Sequence, residues 1–476
     1  LATLARHCPE AAGAAGRALS AGRAALATRT IWNVNSTARG GGVAELLASL
    51  LPFARGADIT VRWGVIGGDD RFFHVTKRLH NALHGATGDG SPLDEGARAH
   101  YERVLRDDFA GMRSLLRPGD VVILHDPQTA GLCGSVARLG CTVVWRCHIG
   151  IDAPNDESDR GWRFLAPYLA DAHAFVFSRD AYIPSVVPRA RCTVISPSID
   201  PTTAKNQAMT PTTVRAIVGA AGLVANGLEG AGRETAFERA DGSIGAVTRT
   251  VDLVHENGVP PADAPLVVQV SRWDRLKDPI GVIDGFAHMA RAGRGGPAHL
   301  LLAGPQVDGV HDDPEGAETF AETRRHWRDL PAELRRRVHL ACLPMADVEE
   351  NAAMVNALQR HAAVVVQKSV REGFGLTVTE AMWKGRPMLA SRVGGIQDQI
   401  EHGRSGLLLV DPKDPEEFAA HLADLLDDRA LADRLGEAAR QRVRERFLPD
   451  SHLGSYAALL QRCLAEADTR KRGASA

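Results

Sequence analysis

The segments Ala363-Val-Val-Val-Gln367 and Glu372-Gly-Phe-Gly-Leu-Thr-Val-Thr-Glu380 carry the pattern that decides the fold. The first is almost continuous in valine, which is typical of a parallel strand covered on both faces. Glycines then permit a tight turn between two carboxylates, and the following residues predict a helix that Gly385 and Pro387 end. A strand, a glycine-rich turn and a helix in this order indicate a doubly wound α/β domain.

The same alternation of short apolar strands and helical patterns extends over nearly the whole chain. It predicts two series of strands, because one interval between them lacks the pattern. The first series is Thr30–Asn35, Ile59–Ile66, Asp120–His125, Thr142–Cys147, Ala174–Ser178 and Cys192–Ile195. The second is Leu266–Val270, His299–Ala303, Val338–Ala341, Ala363–Gln367, Pro387–Ser391 and Leu407–Val410. The sequence therefore predicts two doubly wound domains.

The interruption runs from about Pro201 to Pro261 and is rich in threonine, proline, glycine and alanine. We place the domain junction there and predict an N-terminal domain over 1–258, with a helical insertion at about 206–258. A C-terminal domain is predicted over 259–448. The last helix, 449–476, is expected to cross back onto the first domain.

Composition restricts the possible partners of this 476-residue chain. Its 56 Lys and Arg nearly balance 58 Asp and Glu, for a net charge of −2, so no bulk attraction to nucleic acid or membrane is expected. No apolar run approaches the roughly 20 residues that span a bilayer. The seven scattered cysteines include no C-x-x-C pair, which favours free thiols and a cytoplasmic location. Residues 1–30 resemble an amphipathic helix more than a secretory signal.

Several residues of the second predicted domain are candidates for anion and sugar binding. Arg272 and Lys277 follow its first strand, where parallel sheets bind ligands, although such residues are often only solvated surface. Glu372 and Glu380 bracket the glycine turn, whose backbone amides at a helix start can hold phosphate or sugar oxygens. The plainer interpretation of these two acids is a capped helix with exposed carboxylates.

The first predicted domain has its own glycine loop, Ser36–Gly42, between a strand and a helix. This loop matches neither the dinucleotide-binding nor the P-loop pattern, so nothing indicates a dehydrogenase or an ATPase. Five other polar residues lie at or just beyond the ends of predicted strands or helices. Each of them, taken alone, is explained more simply by a structural role. They are Lys77, His125, Asp126, His148 and Arg179.

These motifs resemble the retaining family 4 glycosyltransferases of GT-B fold, and more closely their trehalose synthase (glycosyltransferring) branch. The resemblance covers about residues 30–465, and the run Arg371–Gly385 is its most specific part. Other matching stretches are Asn33–Glu45, Phe73–Lys77, Trp145–Ile149, Ser196–Pro201, Ser271–Lys277 and His311–Glu315. The resemblance implies two Rossmann-like domains that face an interdomain cleft.

The resemblance also implies an activity, the reversible transfer of glucose from a nucleoside diphosphate donor to free glucose, giving α,α-trehalose with retention. The resemblance implies that the catalytic group consists of Arg272, Lys277, Glu372 and His148. The cationic side chains of Arg272 and Lys277 would bind the diphosphate. Glu380 would bind the ribose. Other donor contacts would come from Gly41, Gly42, Gly373, Phe374, Gly375 and Leu376, and acceptor contacts from Lys77, Asp126 and Arg179.

The resemblance implies front-face attack, in which the leaving phosphate takes the acceptor's proton, and it requires no metal site. We therefore expect no required cofactor, with Mg²⁺ at most stimulatory, and substrates limited to nucleoside diphosphate glucose, glucose and trehalose. A homodimer would be unsurprising.

Three alternatives stay open. A trehalose phosphorylase would use the same Arg272 and Lys277 for phosphate, but would leave Glu380 without a ribose. A related retaining enzyme could use another acceptor, such as a hexose phosphate. A non-enzymatic sugar-binding module is disfavoured because all four of Arg272, Lys277, Glu372 and Glu380 are present.

Overall fold

A computed structural model describes residues 28–38, 42–225, 234–307 and 314–474, together with Gly13, Gly16, Arg17 and Leu26. The chain forms two compact units, Leu1–Ser198 with Phe447–Ala476, and Ile199–Arg446. Several predictions fall wholly or partly outside the described residues. These are the N-terminal amphipathic helix, the donor contact of Gly41, most of the His311–Glu315 stretch and part of the 206–258 insertion.

The first unit is a parallel sheet with helices on its faces. Its six strands are ordered β2-β1-β3-β4-β5-β6 and all pair in parallel. The strands are β1 (Ile31–Asn35), β2 (Val61–Val65), β3 (Val121–His125), β4 (Thr142–Cys147), β5 (Ala174–Phe177) and β6 (Cys192–Val194). The helices are α1 (Gly42–Arg55), α2 (Asp70–Leu83), α3 (Glu95–Met112), α4 (Asp126–Thr129), α5 (Cys133–Arg138) and α6 (Asp156–Leu169).

The last helix of the chain, α16 (Pro449–Ala474), belongs to this first unit. Leu453 and Leu460 of α16 line a small apolar cavity together with Leu46 and Leu50 of α1. Polar residues of the helix, His452 and Tyr456, lie at the same cavity. The helix therefore completes the core and also brings polar groups to the sheet.

The second unit contains a seven-stranded sheet in the order β15-β14-β13-β10-β11-β12-β9. Among the described strands of this sheet, β9 alone pairs antiparallel, and β7 and β8 form a separate antiparallel hairpin. The strands are β7 (Ala236–Glu238), β8 (Ile244–Ala246), β9 (Asp252–Val254), β10 (Leu266–Val270), β11 (His299–Pro305), β12 (Val338–Leu343), β13 (Val364–Gln367), β14 (Met388–Ser391) and β15 (Leu407–Leu409). The helices are α7 (Pro211–Ala220), α8 (Pro279–Arg291), α9 (Pro314–Asp329), α10 (Ala332–Arg335), α11 (Val348–His361), α12 (Leu376–Trp383), α13 (Ile396–Gln399), α14 (Pro415–Asp427) and α15 (Arg429–Arg446).

The segment 199–258 corrects the predicted domain boundary. We predicted the first domain to extend to residue 258, whereas the second unit of the structure comprises Ile199–Arg446. The reason is pairing that no local pattern shows: β9 adds to β12, and the buried Asn356 amide donates to the carbonyls of Ala204 and Gln207 at 3.0 and 2.9 Å. The insertion is also only partly helical, because it contains β7, β8 and β9 as well as α7.

The composition predicts free thiols, and the described cysteines agree with that prediction. The six described cysteines are free thiols, and five of them are buried. Within the described residues, no helix is both long and apolar enough to cross a membrane.

Candidate active site

The order of the second sheet creates a switch point between β10 and β13. From β10 the chain moves outward to β11 and β12 on one side, then returns to place β13 on the other side. In such sheets, the loops beyond the carboxyl ends of the two central strands separate and leave room for a ligand. Arg272 and Lys277 follow β10, and Glu372 follows β13, so the fold brings these predicted residues to one edge.

Lys277 and Glu372 form a direct ion pair at that edge. Lys277 Nζ lies 2.5 Å from Glu372 Oε2, and the side chains are only 16% and 12% exposed. Arg272 instead points outward, with 68% of its side chain exposed, and contacts Asp274 at 3.2 Å. Lys277 is therefore fixed by a mostly buried carboxylate, whereas the exposed side chain of Arg272 can move toward an anionic ligand.

A second ion pair, which the sequence did not reveal, supports the first. Lys368, directly after β13, is almost fully buried and pairs with Asp278, the residue after Lys277. Asp278 has a left-handed backbone, φ 46°, and its side chain caps α8 by accepting from the Gly281 amide at 3.1 Å. The two pairs together fix the loop after β10 to the loop after β13.

Helix α12 begins at this edge without a side-chain cap. The N-cap residue of this helix is Gly375, which has a φ of 84° and no side chain that could accept from the first amides. A β-carbon at Gly375 would lie 3.1 Å from Glu372 Cγ, so both the angle and the space favour glycine. Gln399 donates to the carbonyl of Phe374 and Gly395 to that of Gly373, which fixes the loop. The amides at the start of α12, including that of Leu376, are thus positioned to hold anionic oxygens.

Glu380 lies on α12 and is 5% exposed. Its Oε1 atom lies 3.0 Å from Lys205 Nζ, whereas its Oε2 atom is buried and has no hydrogen-bond partner in the structure. A buried carboxylate oxygen without a donor is costly. A hydroxyl-bearing ligand would satisfy it.

The first unit places three polar side chains, those of Asn33, His125 and His148, at its own switch point, between β1 and β3. His125 Nε2 lies 3.1 Å from Asn33 Oδ1, and His125 Nδ1 lies 3.2 Å from His148 Nε2. Burial, followed by the charge of Arg146, lowers the pKa of His125 to about 3 and that of His148 well below its ordinary value. Both imidazoles are therefore neutral near pH 7.

Arg146 is fully buried beside these neutral histidines, and hydrogen bonds to neutral acceptors hold its guanidinium group. It donates from Nε to His148 Nε2 at 3.2 Å, from Nη2 to the Ile195 carbonyl at 2.9 Å and from Nη1 to the Tyr456 hydroxyl at 3.2 Å. Helix α16 thus supplies a contact to this cluster through Tyr456. The sequence placed Arg146 in a matching stretch but gave no sign of its role.

Asp126 holds the backbone of His148. It adopts a left-handed conformation, φ 62°, and its Oδ1 accepts from the His148 amide at 2.7 Å. Burial raises its pKa to about 7 against the opposing effects of that hydrogen bond and of Arg146. Asp126 is therefore a group that orients His148.

The other predicted acceptor residues lie at different places in the first unit. Arg179 is mostly buried and pairs with Asp152. Lys77 is exposed on α2. Gly42, which was predicted as a donor contact, begins α1 with open space around the position of a β-carbon. No hydrogen bond in the described chain joins Lys77 to the cluster of His125, Arg146 and His148. No group of three or more metal-ligating side chains occurs among the described residues.

Two family models match the chain. Residues 33–184 match the N-terminal domain of trehalose synthase, and residues 252–442 match group 1 glycosyl transferases. Among solved structures, an α,α-trehalose-phosphate synthase of Burkholderia xenovorans aligns over 92% of this chain and 100% of its own, with TM-score 0.65 and 15% identity. The Anabaena protein HepE, solved with UDP and glucose, aligns over 91% and 100%, with TM-score 0.59 and 17% identity.

The fold and these matches define a glycosyltransferase of GT-B fold. A trehalose synthase of Rubrobacter xylanophilus is 36% identical over 88% of this chain and 86% of its own length. One of Pyrococcus horikoshii is 34% identical over 91% and 90%. The chain belongs to the trehalose synthase family. A trehalose phosphorylase of Pleurotus pulmonarius is 27% identical over 86% of this chain but only 54% of its own length.

The raised pKa of Asp126 predicts how the stability of the first unit depends on pH. Its folded pKa of about 7 exceeds the ordinary 3.8, so its contribution is complete below about pH 4 and is lost as the pH rises through 7. The loss is on the order of 4 kcal/mol. Asp126→Asn keeps an acceptor for the His148 amide and tolerates positive φ. We expect its melting temperature to rise relative to wild type between pH 4 and 8.

Asp107→Asn, an exposed change on α3, is the control and should give a constant difference across this range. A constant difference for Asp126→Asn as well would show that Asp126 ionises normally.

Proposed function

We propose that this enzyme transfers glucose, with retention, from a nucleoside diphosphate glucose to free glucose and so forms α,α-trehalose reversibly. The observation that carries the donor assignment is Glu380, with one oxygen held by Lys205 and the other buried without a donor. The vicinal hydroxyls of a ribose would supply that donor. A phosphorylase has no ribose to place there.

The second unit would bind the donor. Amides at the start of α12 and the side chains of Arg272 and Lys277 would contact the diphosphate, whose charge increases as the bond from glucose C1 to the phosphate oxygen breaks. Preorganised cationic donors stabilise that developing charge. Glu372 keeps Lys277 in place and would contact the donor glucose. These cations would take the role of a divalent ion, so no cofactor is required, and Mg²⁺ would at most stimulate.

The acceptor would be bound by residues of the first unit, with His148 at the reaction centre and Asp126 orienting it. A neutral imidazole can accept or donate one hydrogen bond to a sugar hydroxyl without introducing charge. The acceptor hydroxyl forms the new bond to C1 on the face that the phosphate leaves. Its proton passes to the departing phosphate oxygen, so nucleoside diphosphate and trehalose are the products. Arg179 and Lys77 are further candidates for acceptor contacts.

A product assay tests this function. The protein is incubated with free glucose and a panel of nucleoside diphosphate glucoses, with and without chelator, and in parallel with trehalose and phosphate. We expect nucleoside diphosphate release and a symmetric α,α-linked disaccharide by NMR. Glucose 1-phosphate formed only in the phosphate arm would identify a phosphorylase instead. Glucose 6-phosphate in place of glucose tests the other acceptor.

Arg272→Ala should lower kcat by roughly 10²–10³-fold, because it removes one donor to the developing charge. Its melting temperature should be unchanged, since the side chain is 68% exposed. The matched control is Arg275→Ala, three residues on, whose guanidinium instead pairs with Glu322 at 2.8 Å. An exposed pair of that kind contributes little, so kcat should stay within about twofold. Equal losses in both variants would contradict the diphosphate role of Arg272.

Glu380→Gln should weaken nucleoside diphosphate binding about tenfold while leaving the KM for glucose unchanged. The amide keeps the size of the side chain but replaces an acceptor of ribose hydroxyls with a donor. Binding is measured by calorimetry, with Glu256→Gln, at a carboxylate that pairs with Arg335, as the control. Unchanged nucleotide affinity would exclude the ribose contact and favour the phosphorylase.

A further inference from the structure

A basic cavity lies at the opposite edge of the second sheet from the candidate donor site. It has a volume of about 310 Å³, and its lining includes Arg215, Arg360, His361 and Arg386. No aspartate or glutamate is among its described lining residues. Three guanidinium groups and an imidazole therefore converge without a carboxylate.

The position of the cavity follows from the topology. His361 ends α11 shortly before β13 begins, and Arg386 stands two residues before β14. Both strands are parallel neighbours, so these residues mark their amino ends. Arg272, Lys277 and Glu372 follow carboxyl ends in the same sheet. A ligand in the cavity would thus be separate from a donor held at the candidate active site.

Two guanidinium groups of the cavity, those of Arg360 and Arg386, donate to neutral partners. Arg360 donates to Asn356 Oδ1 at 2.9 Å and to the Gln207 carbonyl at 3.1 Å. Arg386 donates to the Ala362 carbonyl at 3.2 Å, and its Nε atom is buried with no partner. The carboxylate whose charge acts on Arg386 is Asp433, which is exposed and lies 3.6 Å from Arg429.

The lowered pKa values of Arg360 and His361 agree with positive groups that lie close together without a carboxylate. Burial, followed by the charges of Arg440 and Arg386, lowers the pKa of Arg360 to about 10. Burial and then the charges of Arg386 and Arg215 lower the pKa of His361. Half-buried cations that lack a counterion are unfavourable. A bound anion would relieve that cost.

We propose that this cavity binds a small ligand through a phosphate group. Guanidinium groups bind phosphate oxygens in pairs of parallel hydrogen bonds, and a doubly charged anion balances several cations at once. The unpartnered Arg386 Nε provides one such donor. The volume exceeds that of phosphate alone and leaves room for a sugar-sized group, within the usual range of small-molecule sites.

Calorimetry with inorganic phosphate and with glucose 6-phosphate tests the proposal, with glucose as the uncharged control. The titrations use Lys277→Ala, which impairs phosphate binding at the donor site. We expect both phosphates still to bind this variant, and glucose to show no competition with them. Tighter binding of glucose 6-phosphate would identify an organic phosphate as the ligand, whereas equal binding would identify phosphate itself.

Arg215→Glu, added to Lys277→Ala, should weaken phosphate binding at least about tenfold, because it replaces an attraction with a repulsion. Arg215 is exposed, so the change should not affect folding. Arg324→Glu, an exposed change of the same charge on α9, should stay within about twofold. The proposal is overturned if Lys277→Ala abolishes phosphate binding, if wild type binds neither phosphate, or if Arg215→Glu binds as tightly as its control.

Discussion

The ion pair between Lys277 and Glu372 is the contact on which the candidate donor site depends. It joins the loop after β10 to the loop after β13, two segments that are 95 residues apart in the chain. Both side chains are mostly buried, so loss of either partner would leave an unpaired charge in a poorly solvated place. The neighbouring pair of Lys368 and Asp278 joins the same two loops. The position of α12 and of Glu380 relative to Arg272 follows from these contacts.

The two units handle charge in opposite ways at their switch points. At the switch point of the second unit, the mostly buried Lys277 and the buried Lys368 are each paired with a carboxylate, and Arg272 remains exposed. In the first unit, Arg146 is buried among neutral acceptors, and burial, followed by the charge of Arg146, lowers the pKa of His125 and of His148. The first arrangement suits a charged diphosphate, whereas the second suits uncharged hydroxyl groups. This difference supports donor binding by one unit and acceptor binding by the other.

The strands were predictable because parallel strands covered on both faces consist of nearly uninterrupted apolar residues. Each predicted strand of both series is present, and no strand end is shifted by more than two residues. The segment 199–258 was assigned to the wrong domain because its strands β7, β8 and β9 have only three residues each. Such short strands carry no readable period, and their location depends on partners such as β12 and Asn356, which lie far along the chain.

The sequence by itself determined the fold class and most of the second unit's candidate residues, because a strand, a glycine turn and a helix leave a local pattern. It also placed His148 and Asp126 at strand ends. Only the tertiary structure decided which of these residues touch: that Glu372 holds Lys277, that Asp126 orients His148, and that one oxygen of Glu380 lacks a donor. Lys205, Lys368, Arg146 and Tyr456 were missed for the same reason. Their importance comes from burial and from partners distant in the chain, and both arise only when the chain has folded.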